Sequence, residues 1–202
     1  MISELTDHDL DAAALAHYAT ALSGPDGIRA ATARGLITPT GAITVAGAVG
    51  FASTPDRWLP QHVVRVIRYH GRHRLVGTRQ NIVSDDRFSY PLERLIPEVA
   101  ASIEASLPTR RALTGDGTFE TVGLIPQAVW LEAVVNGIIH RSYSNSGDHV
   151  RVEIFEDSIV VESPGRFPGV VDLSDLRTMG RYARNPRLAR LASDLRFGQE
   201  LG

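Results

Sequence analysis

The feature that most constrains this chain is a change of hydrophobic period within one short stretch. Across Trp130–Tyr143, "WLEAVVNGIIHRSY", the apolar residues recur at helical spacing. Across "HVRVEIFEDSIVVESPG", which begins at His149, they alternate. Val150, Val152 and Ile154 share one side of a first strand, and Ile159 and Val161 one side of a second. Glu156 and Asp157 sit at the bend. An apolar helix stripe followed at once by a half-apolar hairpin predicts an α+β protein, with helices laid on one face of a mixed sheet.

The helix carries more than a core face. At about 100° per residue, with Glu132 at zero, Asn136 falls near ~40° and His140 near ~80°. Leu131, Val134, Val135, Ile138 and Ile139 fall between roughly 200° and 340°. Glu132 and Asn136 are therefore neighbours on a polar line beside the apolar stripe. A carboxylate and an amide oxygen one turn apart suit an oxygen-loving cation or its waters, and a Glu there can polarise an attacking water. A solvated helix face also carries Glu, Asn and His, so the residues alone leave both readings open.

Composition removes several other classes. Of 202 residues, 43% are hydrophobic and 22% charged, with a formal net charge of -2. That describes a globular chain with no overall field for nucleic acid or anionic membrane. Cysteine is absent, which excludes disulfides and thiolate metal sites and suits a cytoplasmic setting. No apolar run reaches membrane-spanning length, and the N-terminus lacks the basic start and apolar run of a signal peptide. Every basic side chain apart from histidine is Arg, a bias that a GC-rich genome explains as well as function does. P-loop, dinucleotide-binding, metalloprotease and nucleophile-elbow motifs are all missing.

The N-terminal part reads as a helix over Leu10–Leu22, capped by Asp7 or Asp9, then a shorter one over Ile28–Arg34 ending at Gly35. Pro39-Thr40-Gly41 marks a turn between two apolar runs, "GLIT" and "AITVAGAVGFA". Helix, turn and hairpin together predict a winged-helix-like unit or a small helical cap. His62–Gly71 is a strand, and Arg65, Arg68, Arg72, Arg74 and Arg79 make its region basic. Those arginines suit either contact with duplex DNA or a solvated face balanced by acids. Tyr90–Leu107 reads as a helix kinked or broken at Pro97, and Gly115-Asp116-Gly117 as a turn. A last helix starts near Pro186, with Asn185 at its N-cap.

"WLEAVVNGIIHRSY", "VRVEIFEDSIVVESPGRFPG" and "RNPRLARL", in that order, resemble prokaryotic transcriptional-regulator-like proteins of the RecG-like or Schlafen/AlbA-associated kind. Their C-terminal half is a GHKL-type (Bergerat fold) ATP-binding domain, of the class shared by gyrase, Hsp90, MutL and histidine kinases. The resemblance runs from Pro126 to about Leu191, and "ITVAGAVGFASTPDRWLPQHVVRVIRYHG" resembles the segment that precedes that domain.

The resemblance implies ATP and Mg²⁺ as ligands. Glu132 takes the position of the general base that activates water, and Asn136 the Mg²⁺-binding position. His140 and Arg141 form the family's HR pair, implied in pocket structure or phosphate contact. Glu162 and Ser163 are the candidates for the residue that meets the adenine amino group, where GHKL ATPases usually place Asp. Pro164 and Gly165 match the turn beneath the adenine, and Arg184, Asn185 and Pro186 the segment covering the nucleotide. The usual HRDY reads His140-Arg141-Ser142-Tyr143 here, and a second glycine-rich turn with further strands does not follow.

The expected organisation is therefore a helical, winged-helix-like and strand-containing regulatory part over residues 1–110. A C-terminally incomplete GHKL-like domain follows over 111–202. The implied function is an ATP-binding module of a transcriptional regulator, with Mg²⁺-dependent hydrolysis if Glu132 acts. The alternative is a DNA-binding or interaction module in which a non-catalytic ATPase-like half serves as scaffold or homodimer surface.

Overall fold

A computed structural model describes the chain except for residues 1, 3, 114, 116, 146, 167–182 and 198–202, and the side chain of Glu120. The described elements are α1 (Ala12–Ala21), α2 (Gly27–Ala33), α3 (Val45–Phe51), α4 (Pro55–Trp58), β1 (Val64–Tyr69), β2 (Ile82–Phe88), α5 (Leu92–Ser106), β3 (Thr109–Leu113), β4 (Phe119–Gly123), α6 (Gln127–Ile139), β5 (Val150–Ile154), β6 (Ile159–Glu162) and α7 (Pro186–Asp194). The protein is α+β with a mixed sheet.

That sheet has the order β2-β1-β5-β6. Its central pair, β1 and β5, is parallel, and both flanking pairs are antiparallel. Val64 and Val66 of β1 and Val150, Val152 and Ile154 of β5 enter one apolar core with α5 and α6. On the opposite face Ile67, Tyr69 and Phe155 form a small cluster, with Tyr69 and Phe155 stacked 5.2 Å apart. Strands from both sides of residue 110 thus share one sheet, and one core runs from Leu5 to Leu195 across the domain boundary expected there. Trp130, 1% exposed, is among the largest side chains in that core.

The N-terminal helices differ from the reading by turn and propensity. Neither Asp7 nor Asp9 caps α1. Asp11 does so, accepting from the backbone N–H groups of Ala13 and Ala14. The expected hairpin around Pro39-Thr40-Gly41 is reduced to a single antiparallel bridge, Ile37 to Ile43. Its second run, "VAGAVGF", is the helix α3, started by Thr44, whose hydroxyl accepts from Gly47. α3 is almost wholly buried, so its apolar residues show no polar face to betray a helical period. A Cβ on Gly50 would lie 2.6 Å from Leu191, so glycine there lets α3 close against α7.

α5 runs unbroken through Pro97. That proline is on the exposed side of the helix, so its ring sits outside the core. β3 and β4 form a separate hairpin. The turn expected at Gly115-Asp116-Gly117 lies between them, with Asp116 outside the described residues.

Candidate functional site

α6 turns Trp130, Val134, Val135, Ile138 and Ile139 into the core and leaves Glu132, Asn136 and His140 on its exposed side. The polar line is real, but its members do not share one setting. Asn136 and His140 line a cavity of about 290 Å³, whose other walls are Ser163–Arg166 after β6 and Arg184 before α7. Glu132 lines a different hollow, with Ile96, Leu131, Val135, Arg196 and Phe197. The structure therefore does not bring Glu132 and Asn136 to one cavity.

The walls of the Asn136 cavity are fixed by short hydrogen bonds. The Ser163 hydroxyl donates to the Gly137 carbonyl at 2.6 Å, and the Ser142 N–H donates to the Pro164 carbonyl at 2.7 Å. Together they tie the end of β6 to the end of α6. A Cβ on Gly137 would sit 3.4 Å from Val161, an ordinary contact, so helix and strand are already close. Gly165 has φ 132°, and a Cβ there would lie 3.0 Å from the Ser142 Cβ and 3.2 Å from the Arg184 Cζ. Both the backbone angle and the space call for glycine at that bend.

Asn185 holds the N-cap position of α7 without capping it by side chain. Its amide instead donates to the carbonyls of Ile139 and Arg141, at 2.8 and 2.7 Å. The first is the last carbonyl of α6, which an α-helix leaves without an internal partner, and the second lies just past its C-cap. Asn185 thereby fastens the start of α7 to the end of α6 and holds Arg184 at the cavity rim.

The cavity is cationic. Arg166 and Arg184 have no acidic partner among the described residues. Burial lowers the pKa of His140, and the charge of Arg184 lowers it further. No carboxylate is among the cavity's described lining residues. Such a site suits phosphate or carboxylate oxygens. A bare divalent cation suits it poorly, and the described residues contain no group of three or more His, Cys, Asp or Glu that could hold a metal.

Besides Glu132, three expected residues lie elsewhere. Arg141 is 3% exposed and turns into the α6–β5 loop, where its guanidinium donates to the carbonyls of Asn145 and Asp148 at 3.1 and 2.6 Å. It clamps that loop and does not line the cavity. Glu162 pairs with Arg151 at 2.7 Å on the sheet face opposite α6, so Ser163 alone of the two candidates reaches the cavity. Asn185 acts behind the rim, through the carbonyls it holds. Conversely, Arg166 lines the cavity and was not among the candidates, although it stands inside the quoted "SPGRFPG".

The basic region around β1 is neutralised in part, since Arg65, Arg72 and Arg74 are paired while Arg68 and Arg79 have no ion-pair partner among the described residues. Arg65 makes a forked pair with Asp85 at 2.6 and 2.5 Å, Arg72 meets Asp157 at 3.3 Å, and Arg74 meets Glu153 at 3.5 Å. The Arg65 partnership lowers the Asp85 pKa, chiefly through the side-chain hydrogen bond. No helix among the described residues is long and apolar enough to cross a membrane.

A family match falls on the same end of the chain. Residues 147–202 match the family described as "Putative ATP-dependent DNA helicase recG C-terminal". No curated protein matches the chain. Among solved structures, the DIP2311 protein from Corynebacterium diphtheriae is similar with a TM-score of 0.76 at 20% identity. The match covers 98% of this chain and 39% of that one. The likeness establishes a shared fold, and this chain spans 39% of the length of that relative.

Proposed function

We propose that this chain carries a GHKL-type nucleotide-binding module, and that the cavity between α6, the turn after β6 and Arg184 receives the phosphates of ATP. The observation that carries the reading is the pairing of an uncompensated cationic rim with Asn136 on the facing helix. The family match over 147–202 supports it independently, because it begins just before β5 and covers β6, the turn and α7. In this reading His140, Arg166 and Arg184 meet phosphate oxygens, and Ser163, Pro164 and Gly165 form the wall that the nucleotide passes.

Magnesium fits this site only in company with phosphate. Asn136 offers one neutral oxygen, and cationic groups surround it. Mg²⁺ keeps several waters and takes few protein ligands when phosphates share its coordination. Bound in that way it would neutralise phosphate charge, with Asn136 as the protein's contribution. Arg184 would hold the charge that magnesium leaves uncovered, and Asn185 would keep Arg184 in place.

A second reading concerns hydrolysis. Glu132 lies in its own hollow with apolar neighbours and Arg196, apart from the cavity that holds Asn136. That separation favours nucleotide binding without turnover, since a general base must come within hydrogen-bond reach of the water it activates. Calorimetric titration of the folded chain with MgATP, and with MgCl₂ alone, tests the binding. Saturable heat with MgATP and none with MgCl₂ is expected, and no heat with MgATP would refute the module. Release of phosphate from ATP that disappears in Glu132→Gln would overturn the binding-only reading.

A further inference from the structure

We infer that the chain has a second ligand site, a cavity of about 420 Å³ between α3 and α7 that takes a small organic anion with an apolar body. Arg184 lines both this cavity and the one proposed for the nucleotide. Its walls come from the start of α3 (Val45, Ala46), from Tyr143, and from the start of α7 (Pro186, Leu188), with Arg184 and Arg187 among its lining residues. The volume is that of ordinary small-molecule pockets.

The chemistry follows from which polar groups are already committed. The Thr44 hydroxyl donates to the Leu36 carbonyl and accepts from the Gly47 N–H. The Tyr143 hydroxyl donates to the Ile138 carbonyl, and the Asn185 amide to Ile139 and Arg141. Those three side chains have little left to offer a ligand. The guanidiniums of Arg184 and Arg187 remain, and neither has an ion-pair partner among the described residues, nor does the lining include a carboxylate. Apolar walls with two uncompensated cations select an anion, and they select one with an apolar part over a fully hydrated ion such as inorganic phosphate.

The cavity is also held open by rigid parts. Its α3 wall is capped by Thr44 and packed against α7 through Gly50 and Leu191. The Arg187 side chain rests over Gly35, where a Cβ would lie 3.3 Å from its Nε. The site is thus preformed, which limits the ordering cost of binding.

The test is titration of the full chain, followed by calorimetry, with phenyl phosphate, benzoate, inorganic phosphate and benzyl alcohol. Saturable binding of phenyl phosphate or benzoate is expected, about tenfold or more tighter than inorganic phosphate or benzyl alcohol. The better of the two identifies the anionic group. Arg187→Ala removes a cation from the exposed rim, and Ala46→Leu fills the cavity without changing charge. Each is expected to weaken binding by about tenfold while the thermal transition shows a folded protein. If Ala46→Leu does not fold, Ala46→Val is read instead. Arg184 lines both cavities, so the sites are told apart by residues that line one only: Asn136→Ala weakens MgATP and not the aromatic anion, and Arg187→Ala weakens the aromatic anion and not MgATP. Saturable binding of neither aromatic anion, or binding that survives Arg187→Ala or the cavity-filling change, overturns the assignment.

Discussion

The molecule has two arginine-rich regions, and they differ in what stands opposite the charge. Around β1, Arg65, Arg72 and Arg74 each meet an acid. Around the ends of α6 and α7, Arg166, Arg184 and Arg187 meet none among the described residues, and two cavities open beside them. In the sequence the first region looks the more basic. In the structure three of the first region's five arginines are paired, and the second region is the one whose unpaired arginines line cavities. A cluster of arginines reports a binding site only when its counter-ions are missing, and pairing across strands is invisible until register is known. Asp85 comes twenty positions after Arg65, yet β1–β2 pairing brings their side chains to hydrogen-bonding distance.

Arg141 marks a third condition, a buried arginine whose guanidinium donates through one amino group to two backbone carbonyls while its Nε stays unpaired, and it sharpens the contrast most. Arg141→Ala removes two charge-assisted hydrogen bonds, to Asn145 and Asp148, together with the packing of a buried side chain. It should destabilise the fold by about 3 kcal/mol in urea titration. Nucleotide affinity measured on the folded fraction should change little, because the side chain does not reach the cavity. A large loss of affinity with unchanged stability would place Arg141 with the binding arginines instead.

Acid should act through the same buried region. His62 is 3% exposed and hydrogen-bonds the Tyr90 carbonyl at 3.2 Å. Burial pushes its pKa down to about 4, opposed by that hydrogen bond, with the charge of Arg141 lowering it further. The unfolded chain then takes up a proton on this histidine at a higher pH than the folded protein does. The stabilisation is complete above the ordinary histidine value and is lost as pH falls from about 6.5 towards 4, by at most roughly 3 kcal/mol. Denaturation midpoints of the wild type and His62→Gln across that range give the check. Parallel curves would show that another group governs the acid limb.

Smaller effects separate the two arginine regions directly. Arg184→Ala should weaken MgATP by about tenfold, near 1.4 kcal/mol, without lowering the thermal transition. Arg65→Ala should change neither MgATP affinity nor mobility with duplex DNA, and should cost under about 1 kcal/mol of stability, because its partner is partly solvated. A salt-sensitive DNA shift lost in Arg65→Ala would invert the comparison.

The sequence exposed most clearly those elements whose two sides differ. α6 shows a buried and an exposed face, and the β5–β6 hairpin alternates apolar with polar residues along most of its length, so period alone finds them. β2 escaped because it is an edge strand exposed along most of its length, and "SDDR" carries no alternation. α3 escaped for the opposite reason: buried nearly all round, it reads as a plain apolar run. The same logic governs the site. Asn136, His140, Ser163 and Gly165 were legible as a helix line and a turn, and they do meet at one cavity. Glu132 was legible as their neighbour, yet the turn after β6 meets α6 one turn further along. Glu162 and Arg141 were adjacent to site residues in sequence, but strand alternation and a loop turn sent their side chains elsewhere.

The most direct measurement is a crystal structure of the chain soaked with Mg²⁺ and a non-hydrolysable ATP analogue. Phosphate oxygens within hydrogen-bonding distance of Arg184, with the metal adjoining Asn136 and Glu132 remote from both, is the predicted result. An analogue bound away from α6, or well-ordered crystals with no analogue at saturating concentration, would contradict it.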